Sequence, residues 1–154
     1  MIIGEQKVSY KSGENMQDII KTRLQVEIEK SYYASKRYHQ ESTFAILYHE
    51  KKLPIEVLGN ILRVSDQLIQ TDEHHYFVFF KFTNHQQAFK ASENLLLELD
   101  TYFNDSTSYI GIDRFDINQS PTIVINRLIQ ILYEIKKGQF LRIEDESILS
   151  EIIF

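Results

Sequence analysis

Arg63 and Asp66 stand three positions apart, and five residues separate Asp66 from a polar cluster, Asp72-Glu73-His74-His75. A guanidinium presents a planar fork of donors that grips phosphate or carboxylate, and a nearby carboxylate accepts ligand N–H groups. The plainer alternative for Arg63-Val64-Ser65-Asp66 is a salt bridge or a turn of solvated charges. His74 and His75 raise metal coordination, with His49 and His85 as further ligands. Successive side chains of a strand point to opposite faces, so adjacent histidines share one ion only in a loop, and a turn or surface role is favoured. The chain has no Gly-rich phosphate loop, Ser/His/Asp arrangement or Cys nucleophile, and its scattered carboxylates mark no acid/base pair. Neither catalytic residues nor a metal or cofactor are assigned on these grounds.

One compact domain spanning residues 1–154 is expected, because this length can bury a single substantial core. With 43% hydrophobic and 25% charged residues, the composition is that of a globular chain rather than a disordered one. The absence of cysteine excludes disulfides and thiolate metal sites. No signal-like start and no apolar run of spanning length are present, which points to the cytoplasm and away from a membrane. A formal net charge of −5 exerts no general pull on nucleic acid. Tyr32, Tyr33 and Tyr38 among Lys30, Lys36 and Arg37 fit a packing face with solvated neighbours better than a base-stacking surface.

Met16, Ile20, Leu24 and Ile28 recur at helical spacing and predict a long N-terminal helix over 15–39. Phe44 to Tyr48 reads as a buried central strand. Pro54 opens a helix with Ile55, Leu58, Ile61 and Leu62 on its apolar side, ending near Ser65. Gln67–Ile69 and Tyr76–Phe82 form an antiparallel hairpin around Thr71-Asp72-Glu73-His74. Thr83-Asn84 caps a helix carrying Ala88, Ala91, Leu95 and Leu99. A strand follows over Ser108–Ile112. Ser120-Pro121 then starts a helix bearing Ile125, Leu128, Ile129, Leu132 and Ile135, stopped by Gly138. This order describes an α+β domain with helices packed on an antiparallel-rich sheet. The extension over 144–154 carries Ile148, Leu149, Ile152, Ile153 and Phe154, more apolar surface than a solvated tail requires. It docks on its own core or on a partner.

Several segments, in order, resemble landmarks of the GGDEF domain, the fold of diguanylate cyclases. They are Tyr33-Ala34-Ser35-Lys36-Arg37-Tyr38, the Arg63-x-x-Asp66 pair five residues before the hairpin signature, the helix from Thr83 to Leu95, Ile110-Gly111-Ile112, and Leu132-Tyr133-Glu134-Ile135-Lys136-Lys137-Gly138. The resemblance covers roughly 29–142 and implies a palm-like, ferredoxin-related sheet. Position for position, the signature has become Asp72-Glu73-His74-His75-Tyr76. Its two glycines are replaced by acids and its two acids by His74 and His75. The acid that the family carries at the end of the first strand falls where this chain has Tyr48 and His49. Imidazole is a poor ligand for a hard ion such as Mg²⁺, and only a displaced arrangement of Glu50 and Asp72 would supply carboxylates. Only about fifteen residues separate the first strand from Arg63, where the family has two helices and its nucleotide-contacting elements. The resemblance therefore implies a domain without cyclase activity that signals through a protein partner or a homodimer. Arg63 and Asp66 match the family's inhibitory site and make cyclic di-GMP a candidate ligand, although no arginine follows in Asn84–Leu99.

Overall fold

A computed structural model describes residues 2–3 and 16–151. The elements follow in the order β1 (Ile2–Ile3), α1 (Met16–Tyr38), β2 (Thr43–Tyr48), α2 (Ile55–Ile61), β3 (Gln67–Gln70), β4 (His75–Phe80), α3 (His85–Phe103), β5 (Tyr109–Asp113), α4 (Pro121–Lys136) and β6 (Ile143–Asp145), then a 3₁₀ segment, Glu146–Glu151. The six strands form one sheet in the order β1-β3-β4-β2-β5-β6. Its centre is antiparallel, while β1 and β6 add parallel edges beside β3 and β5. Among the described residues no helix is long and apolar enough to cross a membrane.

Strand alternation divides the core into two layers. Ala45, Leu47, Val78, Phe80, Ile110 and Ile112 face Leu58 of α2 and Ala88, Leu95 and Leu99 of α3. Phe44, Ile46, Phe77 and Phe79 face Leu24, Ile28 and Tyr32 of α1 and Ile125, Leu128 and Leu132 of α4. The helix ends are written locally. Asn84 accepts from the Gln87 amide while the Gln87 side chain returns to the Asn84 amide, a capping box. Ser120 caps α4 with Pro121 in its first turn. Gly138, with φ +85°, takes the left-handed conformation that ends it.

The structure moves several expected boundaries. Helix α2 stops at Ile61 because Leu62 turns extended and residues 63–66 close a turn, Asp66 N donating to Arg63 O at 3.0 Å. Strand β4 stops at Phe80 because Phe82 adopts φ +53°. Ile129 is half exposed, and Val124 and Ile131 take buried places on α4 instead. The C-terminal extension is a short strand and a 3₁₀ segment. Its Ile148 packs on Ile131 and Ile135, so the part to residue 150 is docked on its own core. Ile152, Ile153 and Phe154 lie outside the described residues.

Gly111 is the point of closest approach between sheet and α4. A Cβ there would sit 2.9 Å from Ile131 Cγ2 and 3.3 Å from Ile46 Cγ2. Gly111→Val is expected to destabilise the domain by about 1–3 kcal/mol through overpacking. A urea titration showing wild-type stability would mean that α4 shifts freely over β5.

Candidate functional site

The β3–β4 turn is the residue cluster that the sequence singles out, and backbone pairing fixes where it lies. His75 opposes Tyr48 on β2, and Tyr48 opposes Tyr109 on β5, so the turn projects from the end of the sheet where these three strands meet. Asp72 folds back over the crest. Its Oδ1 accepts from the His74 amide at 2.8 Å, and both its oxygens lie within 2.9 Å of His75 Nδ1. Burial works to raise the Asp72 carboxyl, but the hydrogen bonds from the His75 ring and the His74 amide outweigh it and hold it below its ordinary range.

His75 extends this chain of contacts across the sheet. If its Nδ1–H donates to Asp72, its Nε2 is free to accept from Lys136 Nζ, 3.1 Å away at the end of α4. The same ammonium sits 3.6 Å over the Tyr48 ring, which stacks on Tyr109. Burial lowers the Lys136 pKa, against the opposing pull of Asp72. Beside this polar line lies a cleft of about 460 Å³ between α1 and α4, with Leu24, Ile125, Ile129, Leu132 and Tyr133 along its walls. An apolar trough ending in one carboxylate, one imidazole and one ammonium suits an apolar or aromatic group with a polar end.

The other residues of this hairpin do structural work. Glu73 O accepts from the Leu53 amide, and its exposed carboxylate lies 3.6 Å from Lys52. His74 O accepts from the His49 amide, while the His74 ring approaches His49 O at 3.2 Å. Tyr76 is buried in the α2–α3 layer and donates to Leu53 O. Neighbouring side chains of β2 also diverge. Tyr48 faces the α4 side, whereas His49 is fully buried on the opposite side, stacked on Phe103 at 3.9 Å and bonded to Ser108 and Thr107. Desolvation keeps His49 below its usual pKa despite Asp105 beside it, so the ring is neutral near pH 7.

Arg63 and Asp66 meet, but on each other. Asp66 is buried and accepts from Arg63 N, Nε and Nη2, the last at 2.9 Å. Arg63 Nη2 also donates to Lys81 O at 3.0 Å and to Thr83 Oγ1. The pair thereby fastens the 63–66 turn to the left-handed Phe82 turn. The Arg63 side chain remains 56% exposed.

His85 is far from His74 and His75, since it follows the opposite end of β4 and contacts Asp145 instead. Lys136 and Tyr48 are the site residues that sequence reasoning passed over as participants. Lys136 lay within the Leu132–Gly138 landmark, but its 61-residue separation from His75 concealed the contact.

Two solved structures share this architecture. The GGDEF domain of DgcB from Caulobacter crescentus, in complex with c-di-GMP, superposes with a TM-score of 0.67 over 92% of this chain and 99% of that one, at 11% sequence identity. The chain has the GGDEF fold. Diguanylate cyclase SiaD from Pseudomonas aeruginosa, in complex with its activator SiaC, gives a TM-score of 0.61 at 16% identity. That match covers 81% of this chain and 56% of SiaD. No protein-family model and no curated protein sequence matches. The GGDEF fold thus stands here on the palm-like sheet and its helices.

Proposed function

We propose that this chain is a catalytically inactive GGDEF-like signalling domain of the cytoplasm that acts through protein contacts. The observation that carries the reading is the hairpin crest. Asp72 is its carboxylate beside the cleft, and both oxygens are engaged by His75. A two-metal phosphoryl-transfer site needs several convergent carboxylate oxygens. Tyr48 and His49 supply none at the strand end, and Lys136 sets a positive charge beside the imidazole. Protein contact is supported by the apolar walls of the α1–α4 cleft, with Ile129 and Tyr133 half exposed at its rim, and by exposed Tyr33 on α1 and Leu97 on α3. The occupant is a protein partner or a second copy of the chain. Calorimetric titration with GTP in the presence and absence of Mg²⁺ tests the reading. It expects no metal-dependent binding, and a saturable Mg²⁺-dependent heat would defeat it.

The second reading is a cyclic di-GMP receptor built on Arg63 and Asp66, favoured by the exposed guanidinium beside a buried carboxylate. If the ligand binds, Arg63→Ala should weaken it by roughly 1.5–3 kcal/mol, the scale of a lost charged hydrogen bond, from an affinity no tighter than micromolar. Asp66→Ala should erode the preference for guanine. The same Arg63→Ala change should cost about 1–2 kcal/mol of stability, because Asp66 loses its guanidinium. Titration of folded wild type without saturation leaves Arg63 and Asp66 as a structural clamp. Wild-type affinity in Arg63→Ala would place any nucleotide site elsewhere.

A further inference from the structure

At the end of the sheet opposite the hairpin crest, three side chains from separate elements converge. His85 is the first residue of α3, Asp145 the last of β6, and Glu146 the first of the 3₁₀ segment. Their ligand atoms all lie within 4.8 Å of one another. His85 Nε2 and Asp145 Oδ2 are 2.8 Å apart. Bonds of about 2.0–2.2 Å to one tetrahedral ion set neighbouring ligand atoms about 3.3–3.6 Å apart, so His85 and Asp145 have to part by roughly 0.5–0.8 Å and the Glu146 carboxylate has to swing inward. We propose that His85, Asp145 and Glu146 form a divalent-metal site of the zinc class that ties the start of α3 to the C-terminal segment.

The surroundings favour this over a simple His–Asp pair. Asp145 Oδ1 accepts from the Ser147 amide at 2.9 Å and from its hydroxyl at 2.5 Å, which aims Oδ2 at His85 as outer contacts aim a metal ligand. A His–Asp hydrogen bond leaves the Glu146 carboxylate unexplained. Its Oε2 is buried without a partner among the described residues, and Arg114 is 3.7 Å from its other oxygen. The second ring nitrogen of His85 is likewise buried and unpartnered among the described residues. A cation between the ligands would offset the charge of the Asp145 and Glu146 carboxylates. One imidazole with two carboxylates suits a borderline ion such as Zn²⁺ better than Mg²⁺. A recess of about 380 Å³ over His85, Phe89 and Asp145 gives the ion access from solvent. The distance from the crest makes the site structural or regulatory rather than catalytic.

Calorimetric titration of the chelator-treated full chain with ZnCl₂ tests the proposal. One equivalent of Zn²⁺ should bind, and His85→Ala and Glu146→Gln should each weaken it by at least about tenfold. His75→Ala, which removes the His–Asp contact of the hairpin crest, should leave binding unchanged. Co²⁺ as a probe should give visible ligand-field bands in wild type and His75→Ala but not in His85→Ala, with circular dichroism confirming that each variant is folded. Failure of the folded wild type to bind Zn²⁺ would overturn the proposal. So would wild-type affinity in His85→Ala and Glu146→Gln, or loss of binding in His75→Ala.

Discussion

Arg127→Met should destabilise the domain by about 1–2 kcal/mol more near pH 8 than near pH 5, in metal-free buffer. Arg127 Nη2 lies 2.6 Å from Asp113 Oδ1, and Asp113 is fully buried at the end of β5. Met keeps much of the side-chain packing but leaves that carboxylate without its counter-charge. Burial already pushes Asp113 up to about 7, against the lowering effect of Arg127 and with a further raising effect from Glu146. The folded pKa therefore lies above the unfolded value. Asp113 favours the fold most below its unfolded pKa of about 4, and that contribution is lost as pH rises through about 7. Below this range a proton neutralises Asp113 in both wild type and variant, so removing Arg127 matters less. Urea unfolding at both pH values measures the difference. An equal loss at each pH would show that Arg127 contributes packing rather than charge.

His49→Asp is the second large effect, and it bears on the proposed inactivity. It restores an acid at the end of the first long strand, where the GGDEF resemblance expects one, yet it should cost about 3–5 kcal/mol and add no Mg²⁺ affinity. The reason is direction. Position 49 is buried against Phe103, and His49 Nε2 lies 3.3 Å from Asp105, so the new carboxylate would face another acid away from Asp72. Tyr48→Asp, on the Lys136 side, should cost less. Unfolding titrations and Mg²⁺ calorimetry on both variants separate the cases. A stable His49→Asp protein that binds Mg²⁺ would mean that the strand end reorients.

Elements with local punctuation were legible in the sequence. The Asn84 and Ser120 caps, the alternation through Phe44–Tyr48 and Phe77–Phe80, and the stop at Gly138 each fix structure within a few residues. Strands β1 and β6 were not, because two or three residues carry no period and gain their identity only by pairing with β3 and β5. The site was half legible for the same reason. The Arg63–Asp66 spacing identified a real pair, but its attachment to Lys81 O and Thr83 depends on where β4 ends. The Asp72–His75 contact is local, whereas Lys136 joins His75 only through the register of α4 on the sheet. Which of Tyr48 and His49 faces the crest follows from strand pairing, and the likeness of motifs left both open. His85 and Asp145, 60 residues apart, meet because β6 lies beside β5.

The inactive-domain account is tested most directly by incubating the purified full chain with GTP and Mg²⁺ and assaying for cyclic di-GMP by mass spectrometry. The account predicts no product, because Asp72 is engaged by His75 and neither Tyr48 nor His49 supplies a metal-binding carboxylate. Metal-dependent formation of cyclic di-GMP, abolished by changing Glu50 or Asp72, would contradict it.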